Sequence, residues 1–254
     1  MKKEMLILAA CIMFLTGCSA QAEKGADSSF SSEGQSGSSP AEDGAMAFLG
    51  ELAEDTVTPD EKDYKELKKK YPEWFGKDGK IVYPVLPGSD EWKEASGDRG
   101  TNTSCQIPEE IVNAVDTKTL LDAVEEYPLL YAYAHNDSYA AGLQYLAETF
   151  YGMNVLLRRE DAYRVAADSY LSRQLGTSDE SSDDSGMLER LLLEEFLFSR
   201  EYAYQKFSEE ERQKILEAVE KNHDKELQLA DGWLRYHFYD MAAYGDNPWQ
   251  EGLP

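Results

Sequence analysis

The stretch from Met187 to about Tyr204 limits the fold of this chain more than any other. Leu188, Leu191, Leu192, Leu193, Phe196 and Leu197 cover more than half the circumference of a helix drawn through it. A helix lying on a surface needs only one apolar stripe, so one that is apolar most of the way round must be enclosed by other elements. Apolar residues recur at helical spacing in the neighbouring stretches, and strand-like alternation is almost absent. The expected fold class is therefore all-α: an irregular antiparallel helical bundle or array with a less regular N-terminal part. Glu194 and Glu195 interrupt the apolar run. Glu195 falls one turn from Leu191 and Leu192, which makes it a candidate inward-facing acid.

Thr58-Pro59-Asp60-Glu61 places a hydroxyl cap, a first-turn proline and an acid in order, predicting a helix to about Lys70 that Pro72 ends. Trp74 and Phe75 are expected to dock it, Gly76 to Gly79 to turn the chain, and Ile81 to Leu86 to be extended. Pro84 bars that segment from a central strand. Asp90 to Ser104 reads as polar loop around Trp92. From Cys105 onward the signals are helical. Short turns carry Ile111, Val112 and Val115, and a restart at Asp116 or Thr117 runs through Leu120, Leu121 and Val124 to a corner at Tyr127-Pro128. Tyr139, Leu143, Leu146 and Phe150 recur at spacings of four, three and four. Gly152-Met153-Asn154 is expected to interrupt that stripe, and another helix to run from about Leu156 or Asp161 to Leu175. Residues 176–186, GTSDESSDDSG, lack the central glycine and closing glutamate of a calcium loop and read as solvated linker. Ser208-Glu209-Glu210-Glu211 is a capping box, opening a helix to roughly Leu229 with Ile215, Leu216, Val219 and Leu227 inward.

The amino terminus has a different character. Lys2 and Lys3 precede an uncharged run from Met5 to Leu15, which is a signal-peptide core and too short for a span of about 20 residues. It closes on Leu15-Thr16-Gly17-Cys18, which resembles the lipobox of bacterial lipoproteins. The resemblance implies cleavage before Cys18 and diacylglycerol on its thiol, often with a further acyl chain such as palmitate on the new amino group. Two or more chains give stable anchoring. The lipid bilayer is thus the first expected partner, through acylated Cys18, and the expected location is the extracytoplasmic face of the cell membrane. The expected domains are a signal peptide at 1–17, an anchor and disordered Ser/Gly/acidic spacer at 18–57, a short helix and irregular segment at 58–104, and a helical domain at 105–254. A second resemblance rests on Ile107-Pro108-Glu109-Glu110, Tyr127-Pro128-Leu129-Leu130, Gly142 to Leu146 and Leu156-Leu157-Arg158-Arg159. Over 105–175 the chain resembles a group of secreted or lipid-anchored bacterial helical proteins. That likeness implies a helical domain and assigns no catalytic residue.

The formal net charge is −24, with 49 Asp and Glu against 25 Lys and Arg. No basic stripe forms, which argues against nucleic acid as a partner. Cys11 falls in the expected signal peptide and Cys18 is the expected acylation site, leaving Cys105 as the one cysteine of the body and no internal disulfide. A thiol nucleophile needs a histidine base and an orienting group, for which Cys105, His135 and Asn136 or Asp137 supply the residue types. Against this, Cys105 sits in no informative motif. Glu220 and His223 are half of a di-iron pattern whose other half is absent, so neither a metal nor a cofactor is expected. The tail residues Trp233, Tyr236 and Tyr239, with Trp249, are candidate binding residues for stacking on a sugar or protein surface. Taken together, these features favour a cell-surface, lipid-anchored binding or interaction module for a macromolecular or surface-polymer partner, protein or polysaccharide. The alternative is a cell-envelope hydrolase, based on carboxylates or on Cys105 and His135.

Overall fold

The computed structural model describes residues 40–60, 64–95, 103–130, 139–173, 184–229 and 248–249. The chain divides into two units, Met1–Gly37 and Ser38–Pro254, and every described residue belongs to the second. The described residues are mostly helical, and the only β pairing among them is two isolated bridges, Val57 with Arg159 and Phe75 with Ile81. The fold class is all-α. No described helix is long and apolar enough to cross a membrane.

A first helix, α1 (Pro40–Glu54), occupies part of the stretch expected to be spacer. Ala45 and Leu49 lie four residues apart, fully shielded, with Met46, Phe48 and Leu52 packed beside them. Two glycines and several alanines dilute the apolar pattern here, so the helix is stabilised by the face it buries against the helical body. The chain then runs extended. The Val57 amide donates to the Arg158 carbonyl at 2.9 Å and the Asp60 amide to that of Asn113 at 2.6 Å. These bonds hold residues 58–60 outside any helix, so the cap expected at Thr58 is not used. Helix α2 is Tyr64–Lys70.

The segment after it docks through aromatic rings. Pro72–Trp74 is one turn of 3₁₀ helix, and Gly79, at φ 85°, closes the following turn in a conformation that favours glycine. Trp74 meets Tyr83 edge-on at 5.6 Å between centroids, Tyr83 meets Tyr127 at 5.9 Å, and Tyr127 stacks nearly parallel on Phe150. The Tyr83 hydroxyl donates to the Ala123 carbonyl at 2.7 Å, satisfying the one polar atom of that ring in the core. A short helix, α3 (Asp90–Ala95), replaces part of the expected polar loop.

In the main body, α4 (Glu109–Ala114) buries Ile111 and Val112, and α5 (Thr117–Glu125) is capped by Asp116, whose carboxylate accepts from the Thr119 amide at 2.8 Å. Helices α6 (Tyr139–Thr149) and α7 (Tyr151–Leu157) meet at Phe150, which is extended. The interruption expected at Gly152-Met153-Asn154 therefore falls two residues earlier. Gly152 serves close packing instead: a Cβ there would lie 2.7 Å from the Phe150 ring. Helix α8 (Ala162–Ser172) and α9 (Asp184–Phe198) run antiparallel, since Arg173 meets Glu194, Tyr170 meets Glu195 and Phe198, and Tyr163 meets Tyr202.

Every residue from Leu191 to Arg200 is buried, as the apolar circumference of that stretch predicts. The expected single helix to Tyr204 is split, however. Ser199 folds its hydroxyl back on the Phe196 carbonyl, and Arg200 is extended before α10 (Glu201–Tyr204). Helix α11 (Glu209–Leu229) opens on the expected capping box: the Ser208 amide donates to Glu211 at 2.7 Å and the Glu211 amide to the Ser208 hydroxyl at 3.3 Å. Ile215 and Val219 face the core.

Candidate functional site

Clefts open on the surface of the described residues, and two of them are lined by charged side chains. The larger, of about 810 Å³, lies between the outer face of α1, the turn after α7, the start of α8 and the segment Arg200–Lys206. Of its lining residues, Arg159 is bridged to Val57, and the adjacent Arg158 holds Asp55 through the backbone carbonyl at 2.7 Å and the carboxylate at 2.5 Å. Tyr163 and Tyr202 stand at right angles with ring centroids 6.1 Å apart, and Tyr202 remains 39% exposed. Arg159 and Arg200 also line this cleft, and both are buried.

Each arginine is placed by local structure. Arg159 follows α7 and turns one nitrogen, Nη2, onto the carbonyls of Val112 and Val115 at 3.1 and 3.3 Å. It thereby caps carbonyls at the C-terminal end of α4, where partial negative charge gathers. Arg200 lies across two rings, its guanidinium carbon 5.2 Å from the Phe196 centroid and 5.6 Å from that of Tyr202. Burial draws both guanidiniums below the usual arginine range. Around them at the mouth, Glu54, Glu160, Glu201 and Lys206 are exposed.

The second cleft, of about 480 Å³, is bordered by α5, the end of α8 and the 78–81 turn. Beneath it lies a buried ion cluster. Arg173 reaches Glu194 at 2.9 Å and also pairs with Glu125, and both carboxylates are almost wholly shielded. The second oxygen of Glu125, Oε1, is buried without a hydrogen bond. Glu194 is pushed up to about 8, first by burial and then by the neighbouring Glu125 charge, with Arg173 opposing both. One guanidinium between two carboxylates leaves the cluster short of one positive charge, and a proton retained on the pair restores the balance.

The residues singled out by sequence have varied placements. Cys105 is fully buried, its thiol facing the Val85 carbonyl at 3.8 Å, and burial pushes the thiol up, away from the nucleophilic thiolate. His135, Asn136 and Asp137 lie outside the described residues, as do Cys18, Trp233, Tyr236 and Tyr239. Glu195 does face inward: it is 1% exposed and accepts from the Tyr170 hydroxyl at 2.7 Å, but lines neither cleft. Trp249 is fully buried against Tyr204 and Phe207, so its indole packs in the core and offers no surface for stacking. The described side chains contain no group of three or more His, Cys, Asp or Glu that could hold a metal ion.

Sequence reasoning missed Arg159, Arg200, Tyr163, Tyr202 and Arg173. Arg200 carried one usable signal, a cation at the end of a ten-residue run whose other members are mostly apolar. No known protein family, curated protein or solved structure matches this chain.

Proposed function

We propose that the chain is a bacterial lipoprotein of the extracytoplasmic membrane face, acylated on Cys18, whose helical body is a binding module for a macromolecular or surface-polymer partner. The observation that carries the binding reading is the 810 Å³ cleft, whose lining includes two perpendicular tyrosine rings and two buried arginines. Aromatic faces supply stacking area and a polar edge, the combination used to hold sugars and peptide segments. The anchor reading is supported by the order of Lys2-Lys3, the apolar run and Leu15-Thr16-Gly17-Cys18. The acidic surface is repelled by anionic lipid, so membrane residence rests on the acyl chains.

Growth of a bacterial host expressing the full chain on an alkyne-tagged palmitate tests the anchor. Wild type is expected to carry the label and sediment with membranes, and Cys18→Ser to lose both. An unmodified first residue in the mature product, or wild-type chain in the cytosol, overturns the anchor. Binding is tested by co-sedimentation of the full-length protein with isolated cell-wall polymer. Tyr202→Ala is expected to weaken it about tenfold, a loss of roughly 1.4 kcal/mol. Equal recovery of the two forms, or none of either, overturns the binding reading.

The alternative, a cell-envelope hydrolase, finds its nearest support in Glu125 at the second cleft and the raised Glu194 beneath it. Arg173 engages both carboxylates, and Glu194 and Glu195 line neither opening, so a substrate would meet at most one of the three acids.

A further inference from the structure

We propose that Arg159 and Arg200 form the floor of an oxyanion site, which takes a single carboxylate, phosphate or sulfate group of a ligand seated in the larger cleft. The inference rests on that cleft being the binding face, and it names the chemistry bound there.

The argument begins with an accounting of the described arginines. Arg158 pairs with Asp55, Arg164 with Glu211, Arg190 with Glu126, Arg212 with Glu209, and Arg173 with both Glu125 and Glu194. Arg159 and Arg200 alone make no such pair among the described residues: Asp60, Asp116 and Asp161 act on the Arg159 charge from outside ion-pair distance, and no described acid acts on Arg200. These two line the same cleft. They are also deeply shielded, at 3% and 9% exposure. Nε and Nη1 of Arg159 and Nη1 of Arg200 are buried with no hydrogen-bond partner.

Buried guanidinium donors left open are costly, and proteins almost always satisfy them. The contacts these side chains do make leave those donors unused. Arg159 uses only Nη2 on the Val112 and Val115 carbonyls. The recorded contacts of the Arg200 guanidinium are with the Phe196 and Tyr202 rings, and they give its buried Nη1 no acceptor. A planar fork of donors in a water-poor setting matches a carboxylate or a tetrahedral oxyanion.

The mouth narrows the class further. Glu54, Glu160 and Glu201 are exposed around it, against one cation, Lys206. Such a rim repels a ligand negatively charged along its length and accepts one whose single oxyanion leads inward while its body, neutral or cationic, rests on Tyr163 and Tyr202. An acidic sugar, a phosphorylated or sulfated sugar end and a zwitterion all satisfy this description.

Isothermal calorimetry on the full-length protein in detergent, at constant ionic strength, tests the site with sodium glucuronate, inorganic phosphate and inorganic sulfate as separate probes. The three arms distinguish carboxylate from tetrahedral recognition. At least one probe is expected to bind saturably, with a matching rise in Tm. Arg200→Met is expected to reduce that affinity at least about tenfold. Its Tm without probe should stay level or rise, because a buried charge lacking an acid is removed. A residue present only for ring packing would instead lower Tm and leave probe binding unchanged. Should the methionine variant fail to fold, Arg200→Lys keeps the charge, removes the fork and is expected to show the same loss of affinity. Lys214→Met, in an exposed pair with Glu210, serves as the unaffected control. Absence of saturable heat for all three probes up to about 10 mM, or intact binding in the Arg200 variants, overturns the site. Tyr202-dependent polymer binding that persists without any oxyanion heat would sink this inference and leave the binding reading standing. Oxyanion heat without polymer binding would do the reverse.

Discussion

Arg173→Met is expected to lower the unfolding free energy by about 3–5 kcal/mol around pH 8, because it strands Glu125 and Glu194 in the interior with no cation. The loss should be smaller near pH 5. Glu194 keeps its proton in the folded protein up to about 8, while in the unfolded chain it titrates in the ordinary carboxylate range. Between those limits the unfolded chain gives up the proton first, so rising pH favours unfolding. Below the window both states are protonated and the penalty vanishes; above it the penalty is constant. In the variant the same acids face no opposing charge, which extends the window upward and steepens the dependence. Urea titrations at pH 5 and pH 8 measure the difference directly. Glu194→Gln supplies the complement: an amide of the same shape cannot ionise, so stability should lose most of its slope between those pH values. A variant as stable at pH 8 as wild type would show that solvent, not Arg173, balances the two carboxylates.

Phe150→Ala is expected to cost about 3–5 kcal/mol by denaturant titration. The ring is almost completely shielded, it stacks on Tyr127, and through Tyr127 and Tyr83 it helps seat Trp74 and the irregular segment around it. The neighbouring Gly152 sharpens the test. Gly152→Ala alone brings a methyl within 2.7 Å of a buried ring stacked on Tyr127, and should destabilise despite alanine's better helical propensity. In the Phe150→Ala background the same methyl meets a void and should be neutral or helpful. The two changes should therefore be strongly non-additive. Simple addition of the two effects would mean that the contact between ring and helix is already relaxed.

The two predictions lie on either side of what the chain's own pattern discloses. Local devices could be read directly. The Ser208–Glu211 box needs only residues three apart, and the burial of Leu191, Leu192, Leu193, Phe196 and Leu197 follows from apolar content around the helix. Helix α1 could not be read that way. Its glycines and alanines carry little periodic signal, and Ala45 and Leu49 become core residues only through distant partners on α6 and α7. The break at Phe150 was misplaced because a glycine ordinarily marks an interruption, whereas Gly152 is there to admit a ring. The larger cleft was invisible for a stronger reason: Arg159 and Arg200 are 41 positions apart, and no spacing rule connects them. Only the antiparallel return of α9 along α8 brings the two cations to one floor.

That floor, roofed by an acidic mouth on a chain of net charge −24, sets long-range and contact forces against each other. A negatively charged visitor is slowed by the field of the whole molecule and then held by donors that mobile ions hardly reach. Dissolved salt shortens the outer field to about 8 Å under physiological conditions while leaving the shielded contacts nearly untouched. Added electrolyte therefore hastens arrival more than it loosens the grip, the reverse of the behaviour of an open basic groove.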